Sequence, residues 1–413
     1  MARATIAIFC MAEDGHFKLI RPLIFDLARS GFAVHVFTHR RYAAEIKGTG
    51  AHFVDLFTKY PLEQADTESI PIPSRYVSYA ATHIEAVMDE LKRLRPDLIL
   101  YETFSVIARL AGRLLDIPFV NVSPGHNLDP ARFLAMLKDD PRVATSERCH
   151  RAVETLRVRY GVSDASPFSY MTGLSPHLNI CCEPPEFLSA EERKTFAPLA
   201  FYGCIPSEED APRPDDAGAD FLSARPSSLR LYVAFGTVAL RYYADAALGV
   251  FEAISDCLAD MPDVRALISL GGATIEDDRL RRIERSNVKI VGYVDQWSVL
   301  QKTDLFLTHH GVNSTHEAIL RRVPMLSYPF FMDQPSLAEK CQALGIAIPL
   351  ASAPRGPVEA EDIRAALKAF IERKEAIAAR LDEARSWELA VMAGRPAVVE
   401  RIAGLASATR RGP

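Results

Sequence analysis

Cysteine pairs at metal-binding or redox spacing are missing from this chain of 413 residues. Its seven cysteines (Cys10, Cys149, Cys181, Cys182, Cys204, Cys257 and Cys341) are scattered, without a Cys-x-x-Cys, and several lie inside apolar runs. That usage argues against a disulfide or zinc framework and fits reduced packing residues. Long hydrophobic runs are absent too: nothing approaches the ~20 residues that cross a bilayer. The amino terminus enters a strand pattern at once, with no room for a signal peptide, so a cytoplasmic, soluble protein is expected. Positive charge is not in excess, with 48 Lys and Arg against 53 Asp and Glu and a net charge of −5. Without a basic stretch, a nucleic-acid partner is disfavoured. Residues 10–17 after the first strand lack the GxGxxG of a nicotinamide dehydrogenase, and no GxxxxGK[ST] of a P-loop NTPase occurs. An Asp-x-Asp metal motif is also missing, so no metal ligands are assigned.

What is present is a globular chain, 48% hydrophobic and 24% charged, long enough for two cores. Short apolar runs at 5–9, 33–38, 52–56, 98–101 and 119–122 alternate with helical patterns at 19–30, 82–94 and 106–115. The alternation returns with strand-like runs at 229–235, 266–270, 288–291, 305–308 and 325–328. Unbroken apolar runs fit strands covered on both faces, and their alternation with helices argues α/β, doubly wound, mostly parallel sheets. Residues 205–228, rich in Pro, Asp, Ser and Ala, have no apolar period and read as a linker between two Rossmann-like domains. Helices are expected at 361–371, 375–392 and 396–405. No solenoid repeat appears.

Polar residues gather where strands stop, most densely in residues 288–334. His309-His310-Gly311-Val312-Asn313-Ser314-Thr315-His316-Glu317 follows the apolar Leu305-Phe306-Leu307 and opens an amphipathic helix. Such a junction aims backbone N–H groups and the positive end of a helix dipole at one spot, which seats a phosphate. Gly311 permits close backbone approach, and His309, Asn313 and Ser314 supply donors. Glu317, one helical turn beyond Asn313, suits a neighbouring sugar hydroxyl. An ordinary capped helix, with Asn313 or Ser314 as N-cap, explains the same letters equally well.

Near the amino terminus, Gly15-His16 follows the first strand. An imidazole at that strand end could take a proton from an attacking hydroxyl, although a lone His at a helix start is more often a cap or packing residue.

The ordered set of Tyr293 and Gln296, His309 to Glu317, Pro324-Met325 and Asp333-Gln334 resembles the nucleotide-sugar signature of the UDP-glycosyltransferase superfamily. The resemblance implies the GT-B fold: two facing Rossmann-like domains, placed at 1–204 and 229–390, with residues 391–413 returning to the first. It also implies an inverting, metal-independent hexosyl transfer from a nucleoside diphosphate sugar, with UDP-glucose favoured and a dTDP-sugar open. The Gly-His-x-x-x-x-Pro pattern (Gly15, His16, Pro22) looks like the family's catalytic loop, making His16 the general base. The carboxylate that orients this base is usually an aspartate. Here Glu102 stands at that place, with one more methylene, so its contact with His16 must be re-aimed or made through water.

Ala234-Phe235-Gly236-Thr237 resembles the family's phosphate-side loop, assigning Gly236 and Thr237 to the donor. Tyr293 is expected to stack on the base, Gln296 and the Val294 backbone to reach base or ribose, and Asp333 and Gln334 to bind sugar hydroxyls. Asp295 replaces a proline common there. Residues 71–79, 123–136 and 167–173 are expected to wall a pocket for a macrolide, polyketide or phenolic acceptor; His126 and Phe133 could touch it, with a core or helix-surface role an equal alternative for each. A monomer or homodimer is expected. A sugar-nucleotide 2-epimerase or an inactive nucleotide-sugar-binding protein are the alternative functions.

Overall fold

The computed structural model describes residues 4–62, 74–126, 130–131, 134–135, 145–170, 173–203, 205, 217–275 and 278–410. The chain divides into two compact units, Met1–Pro206 with Val391–Pro413, and Ser207–Ala390.

In the first unit, strands β1 (Thr5–Phe9), β2 (Ala33–Thr38), β3 (His52–Asp55), β4 (Leu98–Glu102), β5 (Phe119–Ser123), β6 (Leu178–Cys181) and β7 (Leu199–Phe201) form one sheet ordered β3-β2-β1-β4-β5-β6-β7. Every pairing in it is parallel. Helices α1 (Asp14–Arg29), α2 (Arg75–Leu94), α3 (Val106–Leu115) and α4 (Glu147–Tyr160) supply crossovers. Ile6 through Phe9 and Leu98 through Leu100 are fully buried, as a strand covered on both faces requires. Strand order reverses between β1 and β4, and ligands of doubly wound folds sit beyond the carboxyl ends at such a reversal.

The second unit repeats the plan. After α5 (Ala217–Ser223) come β8 (Leu229–Ala234), α6 (Ala244–Ala259), β9 (Val264–Ser269), β10 (Val288–Val291), α7 (Gln296–Leu300), β11 (Leu305–Thr308), α8 (Val312–Leu320), β12 (Met325–Ser327), α9 (Gln334–Ala343), β13 (Ala347–Pro349) and α10 (Ala360–Arg410). The sheet is ordered β10-β9-β8-β11-β12-β13, again with parallel pairings, and reverses between β8 and β11.

Three features depart from the sequence reading. Within the stretch read as linker, α5 buries Leu222 completely, and Arg265 donates to the Phe221 carbonyl (3.0 Å) with its guanidinium 4.0 Å from that ring. Two adjacent apolar residues suffice to dock a turn too short to show a period. Secondly, the three terminal helices are one 51-residue helix, α10, with Pro396 inside it. The intervening Glu, Arg, Lys and Ala are strong helix formers, and the proline costs one ladder bond rather than ending the run. Beside it, buried Arg395 donates to the carbonyls of Tyr202 (3.0 Å) and Ile205 (2.5 Å). Thirdly, the short strands β6, β7 and β13, of three or four residues each, add to the strands read from the sequence. Among the described residues no helix is long and apolar enough to cross a membrane.

Candidate active site

In the first unit, α1 begins at Asp14, so His16 sits in the first turn of a helix rather than in a loop before it. This turn faces the reversal point between β1 and β4. Glu102, the last residue of β4, is completely buried, and its Oε2 lies 2.7 Å from His16 Nδ1. The contact is direct. The same carboxylate accepts from Met11 N–H (3.0 Å), Phe104 N–H (2.9 Å) and the Ser105 hydroxyl (3.0 Å). Four donors on two oxygens satisfy a buried charge that would otherwise be costly. The extra methylene of glutamate reaches across the β1–β4 spacing while two backbone amides lock the carboxylate in place. The imidazole packs on Phe104 with ring centroids 4.1 Å apart and keeps 19% of its side-chain surface exposed. Glu13, just before it, accepts from the Tyr76 hydroxyl at 2.7 Å and pairs with Arg75, which fixes the turn from the other side.

His126 and Phe133 were expected at the acceptor. Phe133 lies outside the described residues. His126, beyond β5, is buried, and its Nδ1 lies 2.8 Å from Oε2 of Glu183, which follows β6 and is fully buried. Glu183 escaped sequence reading because its partner is 57 residues away. Parts of residues 71–79, 123–136 and 167–173 are likewise outside the described residues.

In the second unit, the reversal point between β8 and β11 holds Gly236, Thr237, His309 and Gly311. The His309 ring fills a slot between the two glycines: a Cβ on Gly236 would meet its Nε2 at 2.7 Å, and one on Gly311 at 2.5 Å. Gly236 has a left-handed φ of 71° and Thr237 is exposed. Burial pulls the His309 pKa down to about 4, with the Ala234 carbonyl opposing, so at neutral pH this ring is an uncharged donor.

The N-cap of α8 is Gly311, not Asn313 or Ser314, and glycine has no side chain to occupy the first-turn amides. Asn313, Ser314 and Glu317 all lie in the first two turns. Gln296 Nε2 donates to Ser314 Oγ (3.1 Å) and Glu317 Oε2 (2.6 Å), joining α7 to α8. Asp295 caps α7 through Ser298 N–H (3.2 Å), which settles the loop where proline was expected. Tyr293 is 60% exposed, whereas the Val294 side chain is buried.

Asp333 is the N-cap of α9. Gln334 is buried and its Oε1 accepts from Phe330 (2.9 Å) and Phe331 (3.3 Å) N–H, so that oxygen holds its own loop. His310, given no role by the sequence, is fully buried with φ of 60° and bridges Thr315 (3.2 Å) and Ser327 (2.8 Å) across the ends of β11, α8 and β12. Its pKa is drawn down to about 3 by burial and by His309. On the far face of α8, buried His316 meets Glu388 of α10 at 2.5 Å, another pair too distant in sequence to read. Among the described residues, no group of three or more His, Cys, Asp or Glu is placed to hold a metal ion.

Residues 198–381 match the family described as UDP-glucoronosyl and UDP-glucosyl transferase. The UDP-glucosyltransferase YdhE of Bacillus subtilis is 23% identical over 82% of this chain and 84% of its own length. The oleandomycin glycosyltransferase of Streptomyces antibioticus is 23% identical over 84% and 80%. Among solved structures, the kitacinnamycin glycotransferase aligns with a TM-score of 0.74 at 23% identity, covering 97% of this chain and all of that one. CalG4, the calicheamicin glycosyltransferase, aligns at 0.72 and 22% identity over both whole chains.

Proposed function

We propose that this chain, which belongs to the UDP-glycosyltransferase superfamily and has its GT-B fold, moves a hexose from UDP-glucose to a hydroxyl of a hydrophobic natural product, with inversion and with His16 as base. The observation that carries this reading is the His16–Glu102 contact at 2.7 Å. A carboxylate can only accept, so Nδ1–H donates to Glu102 Oε2 and the lone pair on Nε2 is left as the basic site. The acceptor oxygen attacks the anomeric carbon while its proton passes to His16 Nε2. The bond from that carbon to the diphosphate breaks, and its electron pair leaves on the phosphate oxygen.

The first-turn amides of α8, with His309 and Ser314, are the donors we assign to that oxygen, where preorganised dipoles stabilise growing charge. A neutral His309 suits the task as an N–H donor. Tyr293 offers an exposed face for the base, and Glu317, held by Gln296, offers oxygens to the sugar. Uridine and thymidine diphosphates share these features, so a dTDP-sugar is the variant donor. The hydrophobic acceptor, a macrolide, polyketide or phenolic, is supported by one relative named for oleandomycin and by a zeaxanthin glucosyltransferase of Pantoea ananas. An epimerase or an inactive binding protein is not favoured by these relatives.

The test is incubation with UDP-glucose or dTDP-glucose and a panel of those acceptors, read by mass and by the anomeric coupling of the product. A β-glucoside supports the reading. An α-linked product, or release of free glucose alone, contradicts it.

A further inference from the structure

The turn Gly271-Gly272, directly after β9, belongs to no assigned role. β9 lies between β10 and β8, so its carboxyl end separates the loop carrying Tyr293 from the loop carrying Gly236 and Thr237. It touches both. A Cβ on Gly271 would lie 2.2 Å from the Gly236 carbonyl oxygen and 3.4 Å from Thr237 N, so the two backbones are in direct contact. On the other side, Gly272 N–H donates to the Gly292 carbonyl (2.8 Å), next to Tyr293, and Leu270 N–H donates to Val291 (2.9 Å). Within the turn, Gly271 N–H reaches Ser269 Oγ (3.3 Å) and Ala273 N–H reaches Leu270 O (3.0 Å), so these amides hold the turn itself. Both glycines are left-handed, with φ of 61° and 84°.

We infer that Gly271 is a positioning residue of the donor site, the spacer that sets the distance between the surface for the base and the loop for the diphosphate. This rests on the donor-site reading above. Two strand spacings separate the loops, roughly 10 Å. A ligand bound at both ends needs that span fixed, and backbone-to-backbone packing fixes it more rigidly than side chains can. Any side chain at 271 must push the Gly236–Thr237 loop away, because a carbonyl cannot rotate aside as a flexible chain would. Only ligands that use both ends feel the shift. A nucleoside, which reaches the base surface alone, does not.

The experiment compares the native chain with Gly271→Ala and with Gly345→Ala. Gly345, between α9 and β13, has φ of 74°, and its Cβ would meet only Arg380 Cγ at 3.5 Å, so it carries the left-handed strain without the collision. Calorimetry measures UDP, dTDP, uridine and thymidine, alongside melting of each variant. Gly271→Ala is expected to weaken the preferred nucleoside diphosphate about tenfold or more. Its nucleoside should stay within about twofold, and Gly345→Ala should leave both as in the native chain. Parallel weakening of nucleotide and nucleoside in Gly271→Ala, or no change in either, overturns the spacer role while leaving the donor site standing. If the native chain binds neither diphosphate, the donor-site reading itself falls and the spacer with it.

Discussion

Glu102 shows how a single methylene is absorbed at the residue scale. Its oxygens are shared between an imidazole, two backbone amides and a hydroxyl, so charge and geometry are both in use. Glu102→Gln keeps the shape but offers an amide that can supply only one acceptor oxygen. We expect kcat to fall on the order of 10²-fold or more with UDP affinity unchanged, measured by initial rates and calorimetry. Glu102→Asp, too short for all four partners at once, should fall between the two. The family resemblance pointed to an acid after the strand pattern at 98–101, where Glu102 stands. Whether it touched His16 directly was not legible, because that depends on the spacing of β1 and β4, which are 86 residues apart at the contact.

His309 and His310 give a second residue-scale expectation. Their folded pKa values, about 4 and about 3, lie below the ordinary value near 6.5, so the unfolded chain takes up their protons first. Their stability contribution is therefore complete above pH 6.5 and lost as pH falls toward 4, by up to about 1.4 kcal/mol per pH unit for each ring. Urea midpoints at pH 6.5, 5.5 and 4.5 should fall steadily. His310→Asn, with a residue that tolerates positive φ, should flatten that slope; an unchanged slope contradicts the assignment.

Between elements, the informative link is Gln296, which ties the first turn of α7 to Ser314 and Glu317 of α8. We expect Glu317→Ala to weaken UDP binding about tenfold and Gln296→Ala to weaken it less. The double variant should lose less than the sum, with a coupling of about 0.5–3 kcal/mol. Strict additivity by calorimetry would show that the two side chains act separately. The resemblance carried by the ordered motif made these residues visible in the sequence. Their mutual contact was not visible, nor was the diversion of the Gln334 oxygen into its own loop, since both follow from the path of loops rather than from periodicity. Element existence was legible for β1 to β5 and for β8 to β12. It failed for β6, β7 and β13, and for α5, where burial rests on one or two side chains.

At the scale of the molecule, two sheets with the same reversal each place the residues we propose for the chemistry at the carboxyl ends of the strands flanking it: His16 and Glu102 in one, Gly236 and His309 in the other. Two Rossmann-like sheets were legible from the repeated strand–helix alternation, while the continuity of α10 through Pro396 was not. Because residues 391–413 cluster with the first unit, Arg395→Ala should destabilise that unit by roughly 2 kcal/mol, through two buried hydrogen bonds from a charged donor. Thermal melting should show a lowered transition with UDP affinity within about twofold of native; a matching loss of UDP affinity would contradict this separation of effects. The separation of base from donor site is tested most directly by His16→Ala, assayed for glucosyl transfer and titrated with UDP on the same preparation. Transfer reduced by about 10²-fold or more with an unaltered UDP dissociation constant is the predicted result. Native turnover in that variant would remove the imidazole from the reaction.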